Sequence, residues 1–246
     1  VTNPPDDNDN LNPENFLRGV FAVGAAPYFD VVPYHGHISY YGKMQDADSL
    51  LIGDWASWGG AAVGKPRFLR SIMQEYGVDK ILSLNEVGVG CNDDVYSECE
   101  PPPDEFYQFQ ANRAIRYAVR VVGENVESFI WYTLNSPSWR NMGLVYDDAD
   151  KSARPVYDAY QNLISRTLGL TYSTMVDLGE GIEAHQFDSN HTRLIIAWTD
   201  IDELKTISIS PVKFNAAYDR DGNPIPVGDN FEVTVDFAPI YLEYSR

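Results

Sequence analysis

Three times before residue 170 the chain sets a short, largely apolar segment ahead of a longer amphipathic one, and after 170 this rhythm gives way to a period of two. That alternation constrains the fold more than any other feature. Strands returned to the same sheet by intervening helices must run parallel, and a parallel sheet needs helices over its faces. The clearest strand lies within "KILSLNEVGVGC", residues 80–91, where an apolar run stops at Asn85 and Glu86 and breaks into Gly88 and Gly90. Ahead of it, residues 66–77 place Phe68, Leu69, Ile72, Met73 and Tyr76 on one face, with proline at the start and glycine at the end, and predict a helix.

The same logic predicts helices over 13–25, 103–123 and 154–169, and strands over 28–35 and 127–134. The connections after the strands (36–65, 90–103 and 135–153) are long, and those before them are short. Barrels and doubly wound sheets show this asymmetry on their active face. From 170 to 246 the segments "IEAHQF", "RLIIAWT", "KTISIS", "FEVTVDF" and "PIYLEYS" read as short antiparallel strands. We therefore expect a domain boundary at 169/170, followed by a small antiparallel β domain, a sandwich, that packs on the last helix and serves stability.

The charge of the 246 residues excludes some partners. A formal charge of −18 repels phosphate backbones and anionic lipid, so neither nucleic acid nor a membrane is expected as partner. No apolar run approaches the ~20 residues that span a bilayer. The first residue is not methionine and the chain opens in a Pro/Asp/Asn-rich loop, which suggests that an upstream portion is missing. Two cysteines, Cys91 and Cys99, flank "NDDVYSE". A disulfide closing so short a loop would add about 2.5 kcal/mol and indicate an extracellular or periplasmic, secreted location; the alternative is two unpaired thiols.

Glu86 is the candidate catalytic group. At the C-terminal end of a parallel barrel strand a side chain points into the mouth, although such a carboxylate can also be an ordinary solvated or salt-bridged loop group. The preceding strand ends in Tyr34, His35 and His37, and the following one in Trp131 and Tyr132. Donors and aromatic faces around a carboxylate suit a sugar, which offers C–H faces for stacking and hydroxyls for hydrogen bonding. His35 and His37 could ligate a metal with Glu86, but hydrogen bonding to a ligand or core group is the reading taken, with no metal expected. Trp55, Trp58, Tyr40 and Tyr41 serve either as core anchors or as sugar platforms. His185 and His191 read as surface residues, and "DRDGN" (219–223) as a hairpin turn.

Taken together, "GAAPYFDVVPYHGH", "KPRFLRSIMQEYGVDKILSLNEVGV", "ESFIWYTL" and "GLVYDDADKSARPVYDAYQNL" resemble the second half of a clan A glycoside hydrolase barrel, nearest to family 39 and its family 5 relatives. The resemblance covers roughly residues 13–168 and implies an α/β fold: strands six to eight of a partial TIM (β/α)8 barrel. It implies a retaining glycoside hydrolase with Glu86 as nucleophile. Trp131 would floor the sugar subsite, with His35, His37, Tyr34 and Asn85 as further substrate-binding residues. The substrate would be an oligosaccharide or polysaccharide, and no cofactor is implied.

Strands one to five, with the acid/base glutamate, would belong to the missing N-terminal half, without which the chain is expected to be inactive. The motif departs from its relatives in one respect. Where many have His-Pro-Tyr after the sixth strand, this chain has His35-Gly36-His37, so a tyrosine partner of the nucleophile is absent from that slot. The alternative function is a noncatalytic carbohydrate-binding or structural remnant of such a barrel.

Overall fold

A computed structural model of the chain describes residues 13–92, 99, 101–135 and 140–246. The opening Pro/Asp/Asn segment and most of the loop between the cysteines lie outside the described residues. The elements are α1 (Pro13–Ala22), β1 (Val31–His35), β2 (Ile38–Tyr40), α2 (Ala61–Glu75), β3 (Ile81–Val87), β4 (Val89–Cys91), α3 (Asp104–Gly123), β5 (Ser128–Trp131) and α4 (Pro155–Thr167). Seven further strands follow: β6 (Thr171–Met175), β7 (Ile182–Asp188), β8 (Thr192–Thr199), β9 (Lys205–Ser208), β10 (Phe214–Tyr218), β11 (Glu232–Val235) and β12 (Ile240–Ser245). The chain is thus mixed α/β. It parts into two compact units, one drawn from the described residues up to Ile38 with Ala47–Gly88 and Arg120–Tyr132, the other from the remainder.

The first unit is built on a parallel sheet of order β1-β3-β5. Val32, Tyr34, Leu82 and Leu84 form its dry face, and the buried stripe of α2 (Phe68, Leu69, Ile72 and Met73) completes the core. The opposite face carries Val31, Pro33, Ile81 and Ser83, all at least partly exposed. Among the boundaries that differ from expectation, two position the site. The first strand starts at Val31 because Ala26–Tyr28 wind into a single 3-10 turn with Pro27 in its opening positions.

The helix expected from 66 instead begins at Ala61, so that Pro66 lies inside it. Its N-terminus is set by a distant group: the Asp48 carboxylate accepts from the Ala61 and Ala62 amides at 2.8 and 3.3 Å. This is capping from 13 residues upstream. Gly60 makes the approach feasible, since its φ is +92° and a Cβ there would stand 2.8 Å from the Asp48 Cα.

The second unit holds the β2–β4 pair, α3 up to Val119, α4 and a five-stranded sheet of order β10-β12-β8-β7-β6, antiparallel throughout. A β9–β11 pair shares one apolar core with this sheet: Ile207, Val233 and Val235 pack with Ala184, Ile195, Ala197 and Leu242. Central β8 is buried on both faces, which is why it reads as the unbroken run "LIIAW". The unit also holds a disulfide between Cys91 and Cys99, with Cα atoms 5.3 Å apart. Helix α4 lies against the sheet: Asn162 Nδ2 donates to the Arg220 carbonyl at 3.0 Å, and the Arg166 guanidinium sits 3.6 Å from the Tyr218 ring centroid.

Strands β2, β4, β6 and β10 lie outside the sequence-based expectation. The polar "TYSTM" is largely exposed on an edge, and "FNAAY" has little β-branched content and carries a bulge. His185 corrects an expectation too, being buried at 3% exposure instead of lying on the surface. Its ring stacks on Trp198 at 5.3 Å, and its nitrogens meet Tyr172 Oη at 3.2 Å and Glu183 Oε1 at 2.9 Å. Such pairing is what makes a buried imidazole tolerable.

Asp46, wholly buried, pairs with both Arg113 and Arg116 of α3; the Arg116 guanidinium lies 3.8 Å from the Phe237 ring centroid. "DRDGN" is a turn in which Asp219 Oδ1 accepts from the Asp221 and Asn223 amides. Among the described residues no helix is long and apolar enough to cross a membrane.

Candidate active site

A single-residue irregularity creates the site. Up to Leu84 the register is regular, with Tyr34 opposite Leu84, but His35 then pairs with Glu86, leaving Asn85 as the extra residue of a bulge. Strict alternation would turn Glu86 to the dry face beside Leu82 and Leu84. The bulge reverses the phase, so Glu86 emerges on the face that carries His35.

His35 Nε2 stands 2.9 Å from Glu86 Oε2, and His37 Nε2 stands 3.9 Å from the same oxygen. Backbone hydrogen bonds hold the pieces in register: the Gly36 amide donates to the Glu86 carbonyl at 2.8 Å, and the Ile38 amide to that of Gly88 at 3.0 Å. The rings of His35 and His37 meet edge to face at 5.8 Å, and Tyr132 meets His37 in the same way at 5.8 Å. Burial lowers the pKa of His37, with the charge of Glu86 opposing. All three members of the His35–His37–Glu86 cluster are half-buried, and their ligating atoms lie within 4.8 Å of one another.

Beneath this cluster lies Lys65 of α2, a residue that sequence reasoning missed. It is 4% exposed, its ammonium donates to the His35 carbonyl at 3.1 Å, and it stands 5.8 Å from the Trp55 ring centroid. Burial pulls its pKa down to about 8, with Asp48 the opposing influence. The signal was present in the chain: Lys65 lies on the stripe of Phe68, Leu69 and Ile72 once the helix is begun at Ala61. Trp55 and Trp58 both pack on Phe68, with centroids at 5.8 and 5.3 Å, and so anchor the core. In the second unit Tyr40 is likewise buried, against Phe106 and Phe109, whereas Tyr41 is exposed.

The predicted residues separate accordingly. Glu86, His35 and His37 come together, and Asn85, the bulge residue, is exposed at the same strand end. Tyr34 lies apart from them, 1% exposed on the dry face of the sheet, where burial raises its pKa, Arg70 lowers it and Glu124 raises it. Trp131 is buried, its ring 6.5 Å from that of Phe129, while Tyr132 is the half-exposed aromatic at the cluster.

No family model matches the chain, and no curated protein matches its sequence. Solved structures do match. A family 39 glycoside hydrolase from the gut symbiont Bacteroides cellulosilyticus aligns over 94% of this chain and 47% of its own, at 20% identity and a TM-score of 0.68. A conserved exported protein from Bacteroides fragilis aligns over 87% and 46%, at 12% identity and 0.56. A family 51 arabinofuranosidase from Xanthomonas axonopodis pv. citri aligns over 99% and 57%, at 11% identity and 0.55. The chain therefore has a glycosidase-like fold, and it spans about half the length of these structures.

Proposed function

We propose that the chain is part of a retaining glycoside hydrolase in which Glu86 is the nucleophile. The observation that carries this reading is the bulge that turns Glu86 out of the dry face and onto the His35 imidazole, 2.9 Å away. An N–H donated from His35 would aim the lone pairs of the carboxylate, as attack on an anomeric carbon requires. His37, Tyr132 and Asn85 then line the place a sugar ring would occupy, and Trp131 supports it from behind. Attack would give a glycosyl ester; a second carboxyl about 5 to 5.5 Å away would protonate the leaving oxygen and then activate water. That acid belongs, on this reading, to another part of a TIM barrel of which β1, β3 and β5 are strands six to eight. Residues 170–246 form a β-sandwich domain that stabilises it.

The substrate class is oligosaccharide or polysaccharide. The disulfide and the exported relative of the same fold support a secreted location. The test is kinetic. In the complete enzyme, Glu86→Ala should lower turnover by at least about a thousandfold and azide should restore part of it, while Glu86→Gln keeps binding. A folded Glu86→Ala protein with undiminished turnover would overturn the assignment, whereas a complete parent protein that binds glycans without cleaving any would favour the noncatalytic role.

A further inference from the structure

The same three side chains carry a second property, independent of any sugar. We propose that His35, His37 and Glu86 form a chelating site for a divalent transition-metal ion of the zinc class. Two imidazoles and a carboxylate are the donor set that borderline-soft cations prefer. Here all three present their atoms to one point: the two Nε2 atoms stand 2.9 and 3.9 Å from Glu86 Oε2, and the whole set lies within 4.8 Å. Ligands about 2.0 to 2.2 Å from a tetrahedral ion stand roughly 3.3 to 3.6 Å apart. Rotamer-scale shifts thus reach the required geometry.

The backbone is already in place for it. Residues 35 to 38 are laddered onto 86 to 88 by the Gly36 and Ile38 amides, and the Lys65 ammonium pins the His35 carbonyl at 3.1 Å. Tyr132 braces the His37 ring edge to face. Three protein ligands leave a fourth position open for water.

Chelation uses the Glu86 oxygen that would otherwise attack. If Glu86 is the nucleophile, metal binding silences the enzyme, and a chelator restores it; this consequence rests on the functional reading above, whereas the binding does not. Titration calorimetry of Zn²⁺ into the purified protein should find one ion per chain. Co²⁺ bound there should show the visible absorption of a four-coordinate centre. His37→Phe keeps a ring against Tyr132 but offers no lone pair, and should weaken Zn²⁺ at least about tenfold, as should His35→Gln.

Ca²⁺, which the many surface carboxylates attract equally well, should not compete. Absence of a stoichiometric site, or a site whose affinity survives both histidine substitutions or is displaced by Ca²⁺, would overturn the proposal. In the complete enzyme, histidine-dependent Zn²⁺ binding without any loss of glycosidase turnover would uphold the metal site and sink Glu86 as nucleophile.

Discussion

Replacing Lys65 by methionine should stabilise the protein at neutral pH and abolish a rise in stability that the parent protein shows in mild alkali. The ammonium is 4% exposed and donates to the His35 carbonyl, and burial brings its pKa from 10.5 to about 8. A folded-state pKa below the unfolded value means that between about pH 8 and 10.5 the unfolded chain binds more protons, so stability climbs with pH across that window. Below pH 8 both states are protonated and the contribution is flat.

A displacement of 10.5 − 8 = 2.5 units, at about 1.36 kcal/mol each, gives about 3 kcal/mol as the full rise. The near-complete burial of Lys65 leaves little solvent screening to reduce it. Methionine keeps most of the packing and forfeits a hydrogen bond worth about 1 kcal/mol, leaving a net gain of about 2 kcal/mol at pH 7. The buried tyrosines Tyr34 and Tyr241, whose pKa values burial raises, act in the opposite sense, but only above about pH 10, where unfolded tyrosine ionises first. Urea unfolding at pH 7, 8, 9 and 9.5 isolates the lysine. A parent protein whose stability is flat or falls from pH 8 to 9.5, or a Lys65→Met variant that keeps the rise, would refute the reasoning.

Asp46→Ala removes the carboxylate shared by Arg113 and Arg116 in a fully buried setting, and should cost about 3 to 5 kcal/mol in urea unfolding. An effect below about 1 kcal/mol would mean that the two guanidiniums find water. Cys99→Ser opens the short loop closed by the Cys91–Cys99 bridge and should lower stability by about 2.5 kcal/mol, a loss that a reductant reproduces in the parent protein and does not deepen in the variant.

The local pattern of the chain determined the described helices, most of the strands, and where the candidate nucleophile lies along them. Period in sequence encodes which side of an element is dry, so "RFLRSIMQEYG", "FYQFQANRAIRYAVRVV" and "RLIIAWT" could be read without knowing their neighbours. The position of Glu86 at a strand exit followed in the same way, from an apolar run that ends in polar residues and glycine. Its direction did not.

Alternation along β3 assigns Glu86 to the buried face, and only the pairing of His35 with Glu86 across the bulge reverses it. The start of α2 was likewise hidden, because its cap is the Asp48 carboxylate, brought back by a loop whose closure leaves no periodic trace. His185 and Lys65 show the same limit. A polar residue becomes a core residue when partners from other segments, here Tyr172 of β6 for His185 and the His35 carbonyl for Lys65, satisfy its hydrogen bonds. Burial preference belongs to a residue and its near neighbours and is written locally, whereas register, capping at a distance and polar satisfaction belong to pairs of segments and exist only once the chain has folded.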